Sequence, residues 1–208
     1  MPMIDRRAGA VLAALGAYLA CTVTADLVNP GWSPVERMVS HYVHGRAGWL
    51  IPVALLSLAT GSALLSVLLA PVAPRRTVLL LRVWTVAVLA GAVFPADAYG
   101  RWDQPPSVSG LLHGLAALTA FTVLPAAALS MTTRPVSRPA AVTAALTVVT
   151  LLLLVAAFVD VQNGPSLTVA GRDSLIGLAE RVMLWTYVAW LAVTATTTRP
   201  AHAHARRS

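Results

Sequence analysis

Apolar residues in this chain fall into six long blocks: Ala8–Leu27, Gly48–Ala70, Thr77–Phe94, Gly110–Met131, Ala140–Val159 and Leu175–Ala195. Each is about 18–23 residues long, enough for a helix to cross a hydrocarbon layer of about 30 Å with modest tilt. The blocks predict an all-α integral membrane bundle of six transmembrane helices. Together they fill most of residues 1–208, which leaves no room for a soluble domain and reads as a single membrane domain.

The polar positions repeat along this frame. Asp26, Asp97 and Asp160 each end an odd-numbered span, and Ser40, Ser109 and Ser174 each precede the next one. The first two hairpins also share Ser-x-x-x-His-Gly-x-Ala, at Ser40–Ala47 and Ser109–Ala116; the third carries Leu178 in place of the His, then Glu180 and Arg181. This suggests a two-helix unit used three times, over residues 8–70, 77–131 and 140–195. A carboxylate at a helix C-terminus meets the negative end of the macrodipole, and near hydrocarbon it is also poorly solvated. Each Asp therefore calls for compensation by an Arg, a cation or a proton.

The first inter-span loop carries a second pattern. Ser33-Pro34-Val35-Glu36 reads as a capping box with Pro at the first helical position. Val35, Met38, Val39, Tyr42 and Val43 then follow helical spacing, with Glu36, Arg37, Ser40, His41 and His44 opposite. The expectation is a short amphipathic helix at the membrane interface, ending near Gly45. In the second loop Ser107 or Ser109 is placed to cap the following span, and in the third Asn163-Gly164-Pro165 signals a turn. Trp32, Trp49 and Trp102 are candidate interfacial anchors.

Composition strengthens the membrane reading and charge orients it. Hydrophobic residues make up 57 % of the 208 residues and charged ones 11 %; the net charge is +7, all basic side chains being Arg. Such a balance can indicate nucleic acid. Here Arg6, Arg7, Arg75, Arg76, Arg134, Arg138, Arg199, Arg206 and Arg207 all fall in segments on one side of a six-span chain. The positive-inside rule makes that side cytoplasmic, with both termini inside a bacterial plasma membrane, and makes lipid the partner instead of nucleic acid. Arg82, near the cytoplasmic end of the third span, is placed to snorkel. The first span is longer than a signal-peptide core and is read as retained. The single Cys21 allows no internal disulfide and reads as a packing residue.

All but one of the eight acidic residues lie on the other, outer side. There Ser40, His41, His44, Asp97, His113 and Glu180 supply the residue types of acid–base catalysis. His44, His113 and Asp97 are candidate ligands for a divalent metal such as zinc. Arg37, Arg181, Asp26 and Asp160 are candidates for binding a substrate or for clamping the loops. Glu180 is expected to meet an Arg of the first loop, and Arg181 to meet Asp97 or Asp160. The pair His202 and His204 in the tail reads as solvated.

Ser40-His41-Tyr42-Val43-His44-Gly45, Gly48-Trp49, Phe94-Pro95-Ala96-Asp97, Leu112-His113-Gly114 and Gly177-Leu178-Ala179-Glu180-Arg181 together resemble the six-helix bacterial membrane proteins grouped as domain of unknown function 998. The resemblance covers nearly the whole chain. It implies six spans with polar residues clustered on one face, and no assigned reaction. Ser40-x-x-x-His44 followed by Asp97 also resembles the ceramidase and adiponectin-receptor hydrolases. That pattern needs a paired His in the last helix, and the last span has none. Three readings stay open: an enzyme acting on a lipid or isoprenoid-like substrate, a non-catalytic scaffold or accessory subunit, and a small-solute or proton-linked transporter. Transport is disfavoured by the near absence of ionisable groups in the cytoplasmic halves of the spans.

Overall fold

The computed structural model describes residues 6–101, 104–162 and 171–198. Trp102, Asp103, the Asn163-Gly164-Pro165 turn, Arg199, His202, His204, Arg206 and Arg207 lie outside the described residues. The described chain is all-helical, with six long helices: α1 (Arg6–Val28), α2 (Leu50–Leu69), α3 (Arg75–Val93), α4 (Val108–Met131), α5 (Arg138–Gln162) and α6 (Ile176–Thr197). All six are long and apolar enough to cross a membrane. Consecutive helices pack side by side, α6 closes back on α1, and α2 also reaches α6. The result is a closed bundle with the connections α1–α2, α3–α4 and α5–α6 at one end, here the loop end. Connections α2–α3 and α4–α5 lie at the opposite end.

Outward faces of the helices are apolar. Val86, Leu118 and Leu152 are each more than 60 % exposed at mid-helix, which suits lipid as the solvent and not water. The interior is built from Leu15, Leu58, Leu81, Trp84, Leu124 and Trp190, all nearly inaccessible. Helices approach closely where side chains are small. Gly61 of α2 sits against Ala14 and Leu15 of α1, so that even a Cβ would press on them. Polar links between helices are few. Thr77 of α3 and Ser130 of α4 bond at 2.7 Å, and Tyr187 of α6 donates to the Phe121 carbonyl of α4 at 2.7 Å. At the opposite end, Arg134 reaches the Val72 carbonyl at 2.9 Å and ties two connections together.

The first loop departs from the expected α-helix. Residues 33–37 form turns, and only Val39–His44 are helical, as a six-residue 3-10 segment. With three residues per turn, Val39 and Tyr42 share one face, while His41 and His44 share another. Val39, His41 and Tyr42 are buried, so His41 is a packed residue and not part of a solvated polar face. Gly45 does close the segment, its N–H bonding Tyr42 O at 3.0 Å. Tertiary contacts to α6, described next, override the local helical pattern.

Candidate functional site

α6 enters the bundle directly beneath the first loop. Gly177 lies against the Arg37 backbone, where any Cβ would collide, and Leu178 N–H donates to Val35 O at 2.9 Å. This close approach carries Glu180 and Arg181, one turn further along, into the interior, where they are 3 % and 5 % exposed.

Arg181 is fully engaged there. Its Nη2 and Nε meet the two Asp26 oxygens at 2.6 and 3.3 Å. Nη1 donates to Pro34 O at 2.7 Å, Arg37 O at 2.6 Å and Gly177 O at 3.2 Å. Its guanidinium also lies 5.3 Å from the Tyr42 ring. Asp26 stands in the last turn of α1, so this clamp joins the two helices that close the ring through the loop between them. The expected partners of Arg181, Asp97 and Asp160, are replaced by Asp26, because α6 packs on α1 at this end. Burial and then the Asp26 carboxylate push the Tyr42 hydroxyl up to about 12.

Glu180 likewise meets the first loop, though not an Arg of it. Its Oε2 accepts the Val39 N–H at 2.5 Å. Among the described residues Oε1 has no donor. Arg37 is instead stacked between Trp32 and Tyr99, 4.3 and 4.5 Å from the ring centroids. The neighbouring Glu36 accepts from Asp173 N–H at 3.2 Å and pairs with Arg172 at 3.4 Å, a second tie between the first and third loops.

Asp97 is not a residue of the interior. It lies beyond the end of α3 in an exposed loop, where it accepts from the Ser107 N–H at 2.9 Å and the Ser107 hydroxyl at 2.6 Å. Ser107 caps α4 through the Gly110 N–H, and a Cβ at Gly110 would run into the Asp97 carboxylate. The carboxylate therefore serves the positive N-terminal end of α4 and not the negative end of α3. These hydrogen bonds, the Ser107 hydroxyl first, hold its pKa below the usual carboxylate value. Asp160 lies within the last turns of α5.

His44 and His113 each give one ring nitrogen to a carbonyl. His44 Nε2 bonds Ala96 O at 2.7 Å, and His113 Nδ1 bonds Phe94 O at 2.8 Å. Since a carbonyl only accepts, Nδ1 of His113 carries a proton, which leaves Nε2 the acceptor in the neutral ring. His41 packs edge-on against Tyr99, and burial followed by the Arg37 charge pushes its imidazole down to about 4. Among the described residues no group of three or more His, Cys, Asp or Glu could hold a metal ion, so His44, His113 and Asp97 do not converge as a zinc site.

Ser40, His113 and Glu180 do come together. They line a chamber of about 60 Å³ inside the bundle, walled by α1, α2, α3, α4 and α6. Tyr18 and Tyr187 share it, and the remaining wall is apolar, including Leu58, Trp84 and Phe121. A second cavity of about 140 Å³ lies toward the loop end and shares Ser40, Ile51, Gly91 and His113 with the chamber. On the other side, an outer groove of about 470 Å³ runs between α3 and α4 and shares only Ala87 and Ala116 with the chamber. An amphipathic trail thus leads from the loop end, past Ser40 and His113, past Glu180, to a thin wall of two methyl side chains.

Sequence patterns missed three contributors. Asn29 staples the end of α1 to the loop, its side chain bonding Ala25 O, Arg46 O and Arg46 N–H at 2.7–3.1 Å. Its only signal is a polar residue next to Pro30 at the end of the first span. Tyr18 and Tyr187, the hydroxyl-bearing rings of the chamber, stood inside apolar spans where a phenol is a polar exception.

No curated protein and no solved structure matches the chain. A family described as protein of unknown function (DUF998) matches residues 12–197, nearly the whole of the helical bundle. Six apolar helices in a closed ring and a match of that length leave one assignment: the chain belongs to the DUF998 family of membrane-helical proteins.

Proposed function

We propose that this protein binds a lipid or isoprenoid-like molecule within the bundle, polar end at Ser40, His113 and Glu180. The observation that carries the reading is the chamber itself. Ser40, His113 and Glu180, from the 3-10 segment, α4 and α6, meet in a cavity whose other lining is aliphatic and aromatic, with Tyr18 and Tyr187 among the rings. A mostly apolar pocket with a few convergent polar groups is the usual form of a small-molecule site. The ligand's chain has a short way to the bilayer, because Ala87 and Ala116 line both the chamber and the outer α3–α4 groove. Of the six residues put forward as catalytic, the reading keeps Ser40, His113 and Glu180 and leaves Asp97, His41 and His44 to loop structure. The concentration of Arg6, Arg7, Arg75, Arg76, Arg134 and Arg138 at the opposite end supports placing the chamber mouth on the extracytoplasmic side of a plasma membrane, both termini in the cytoplasm.

The test is lipid retention. Protein purified in mild detergent is extracted, and the released lipids are weighed against protein by mass spectrometry. The native chain is expected to hold about one equivalent of a long-chain species, and Ala116→Phe, which puts a ring into the shared wall, is expected to lose it while remaining monodisperse. Equal retention by both proteins, or none by the native one, overturns the reading.

A second reading, a non-catalytic scaffold, is favoured by the Asp26–Arg181 clamp, whose groups are occupied by one another and by loop carbonyls. Under it the chamber is a packing defect and carries no ligand.

A further inference from the structure

Resting on the lipid-binding reading above, we infer that the polar end of the ligand is a hydrogen-bond donor without negative charge: a long-chain alcohol, and not the corresponding phosphate or carboxylate. The hydrogen-bonding inventory of the chamber carries this. Glu180 is nearly inaccessible and lines the cavity, one oxygen held by Val39 N–H and the other without a donor among the described residues. His113 donates through Nδ1 to Phe94 O, so the neutral ring offers an acceptor at Nε2. Tyr18, 1 % exposed, also lines the chamber, and among the described residues its hydroxyl makes no hydrogen bond. Two acceptors and two hydroxyls, those of Tyr18 and Ser40, suit a hydroxyl that donates to Glu180 and accepts from a phenol.

An anion finds hydroxyl donors but no positive charge among the described lining residues. No Arg lines the chamber among the described residues. The nearest, Arg181, has its donors on Asp26, Pro34 O, Arg37 O and Gly177 O. Arg37 is stacked between Trp32 and Tyr99 on the loop. A phosphate brought to the chamber would lose its hydration with no cation lining the cavity among the described residues to offset its charge, which low-polarity surroundings make costly. A buried acceptor without a donor discriminates in the opposite sense, in favour of a ligand that completes it.

The experiment compares farnesol, farnesylamine and farnesyl phosphate as probes of one chain length, binding to the full-length protein in detergent by competition against a fluorescent prenyl alcohol. Farnesol is expected to bind at least about tenfold more tightly than farnesyl phosphate, a gap of one hydrogen bond in affinity. Farnesylamine, also a donor without negative charge, is expected to side with farnesol. Glu180→Gln is expected to shrink the gap severalfold. Tyr18→Phe, which removes a donor open to either head group, is expected to weaken farnesol severalfold, and unchanged farnesol binding in it overturns the placement of the head group if the Glu180 variant does not fold. Phosphate binding as tightly as the alcohol, with saturable binding of both, overturns the head-group assignment and leaves lipid binding intact. Failure of all three probes to bind overturns the lipid-binding reading and this inference with it.

Discussion

Arg181 and Glu180 are neighbours on α6 and equally buried, yet their surroundings differ in kind. The guanidinium meets two carboxylate oxygens and three carbonyls, which leaves it nothing to offer a ligand. The carboxylate takes one backbone N–H and lines a cavity. Adjacent helical positions point about 100° apart, so one faces α1 and the loop while the other faces the centre of the ring. A buried charge with all its partners in place is a fastener. A buried charge with one partner beside open space is a candidate site. Residue type and depth, the quantities a sequence exposes, do not separate the two.

The largest effect should come from breaking the fastener. Arg181→Met leaves Asp26, 28 % exposed, and two loop carbonyls without this donor, and should lower stability by about 2–3 kcal/mol, less than a fully buried pair would because water reaches the carboxylate. Thermal unfolding in detergent measures it; a shift no larger than that of Glu180→Gln would erase the contrast between the two residues. His41 tests a third way of burying an ionisable group, holding it neutral. Its folded pKa of about 4 lies below its ordinary 6.5. The unfolded chain takes up the proton first as pH falls, so stability should decline from about pH 6.5 toward pH 4, by at most about 1.4 kcal/mol per unit, and be flat above. His41→Phe keeps a ring against Tyr99 and should remove that slope; an unchanged slope would place the titrating group elsewhere.

Smaller still, Glu180→Gln keeps an acceptor for Val39 N–H and should change stability by less than about 1 kcal/mol while weakening ligand binding. A large loss of stability would mean that Glu180 is a fastener too. Asp97→Asn should have the slightest effect. An exposed loop acceptor that still bonds Ser107 should leave unfolding and ligand retention nearly unchanged, and a loss of bound ligand would bring Asp97 back into the site.

The six spans were legible because crossing a bilayer imposes a length and an apolar composition that few other folds share. All six spans agree with the structure, and the departure comes just past the end of α3. Asp97 was grouped with Asp26 and Asp160 as a helix-ending carboxylate. Yet α3 stops at Val93, and the following segment folds Asp97 over onto the first turn of α4, where Gly110 makes room. The first loop misled in a similar way. Its i, i+3, i+4 pattern is real, but the segment is tied down at the Arg37 carbonyl and the Val39 N–H by Arg181 and Glu180, more than a hundred residues away in sequence, and His41 packs on Tyr99 of the second loop. Ser40, His113 and Glu180 were singled out as polar residues on one side. Their meeting in one chamber depends on Gly177, which lets α6 press against the first loop, and one small residue in an Ala-rich chain carries no distinguishing signal.

Hydropathy and Arg placement, properties of the chain alone, determined that this protein is a six-helix membrane bundle with its acidic residues gathered at one end. Which acidic residue meets which Arg, and which is left facing a cavity, was decided only when α6 closed the ring against α1. Bilayer insertion acts on each segment's own composition, whereas partner choice among buried charges depends on helix rotation and on contacts between segments far apart in sequence.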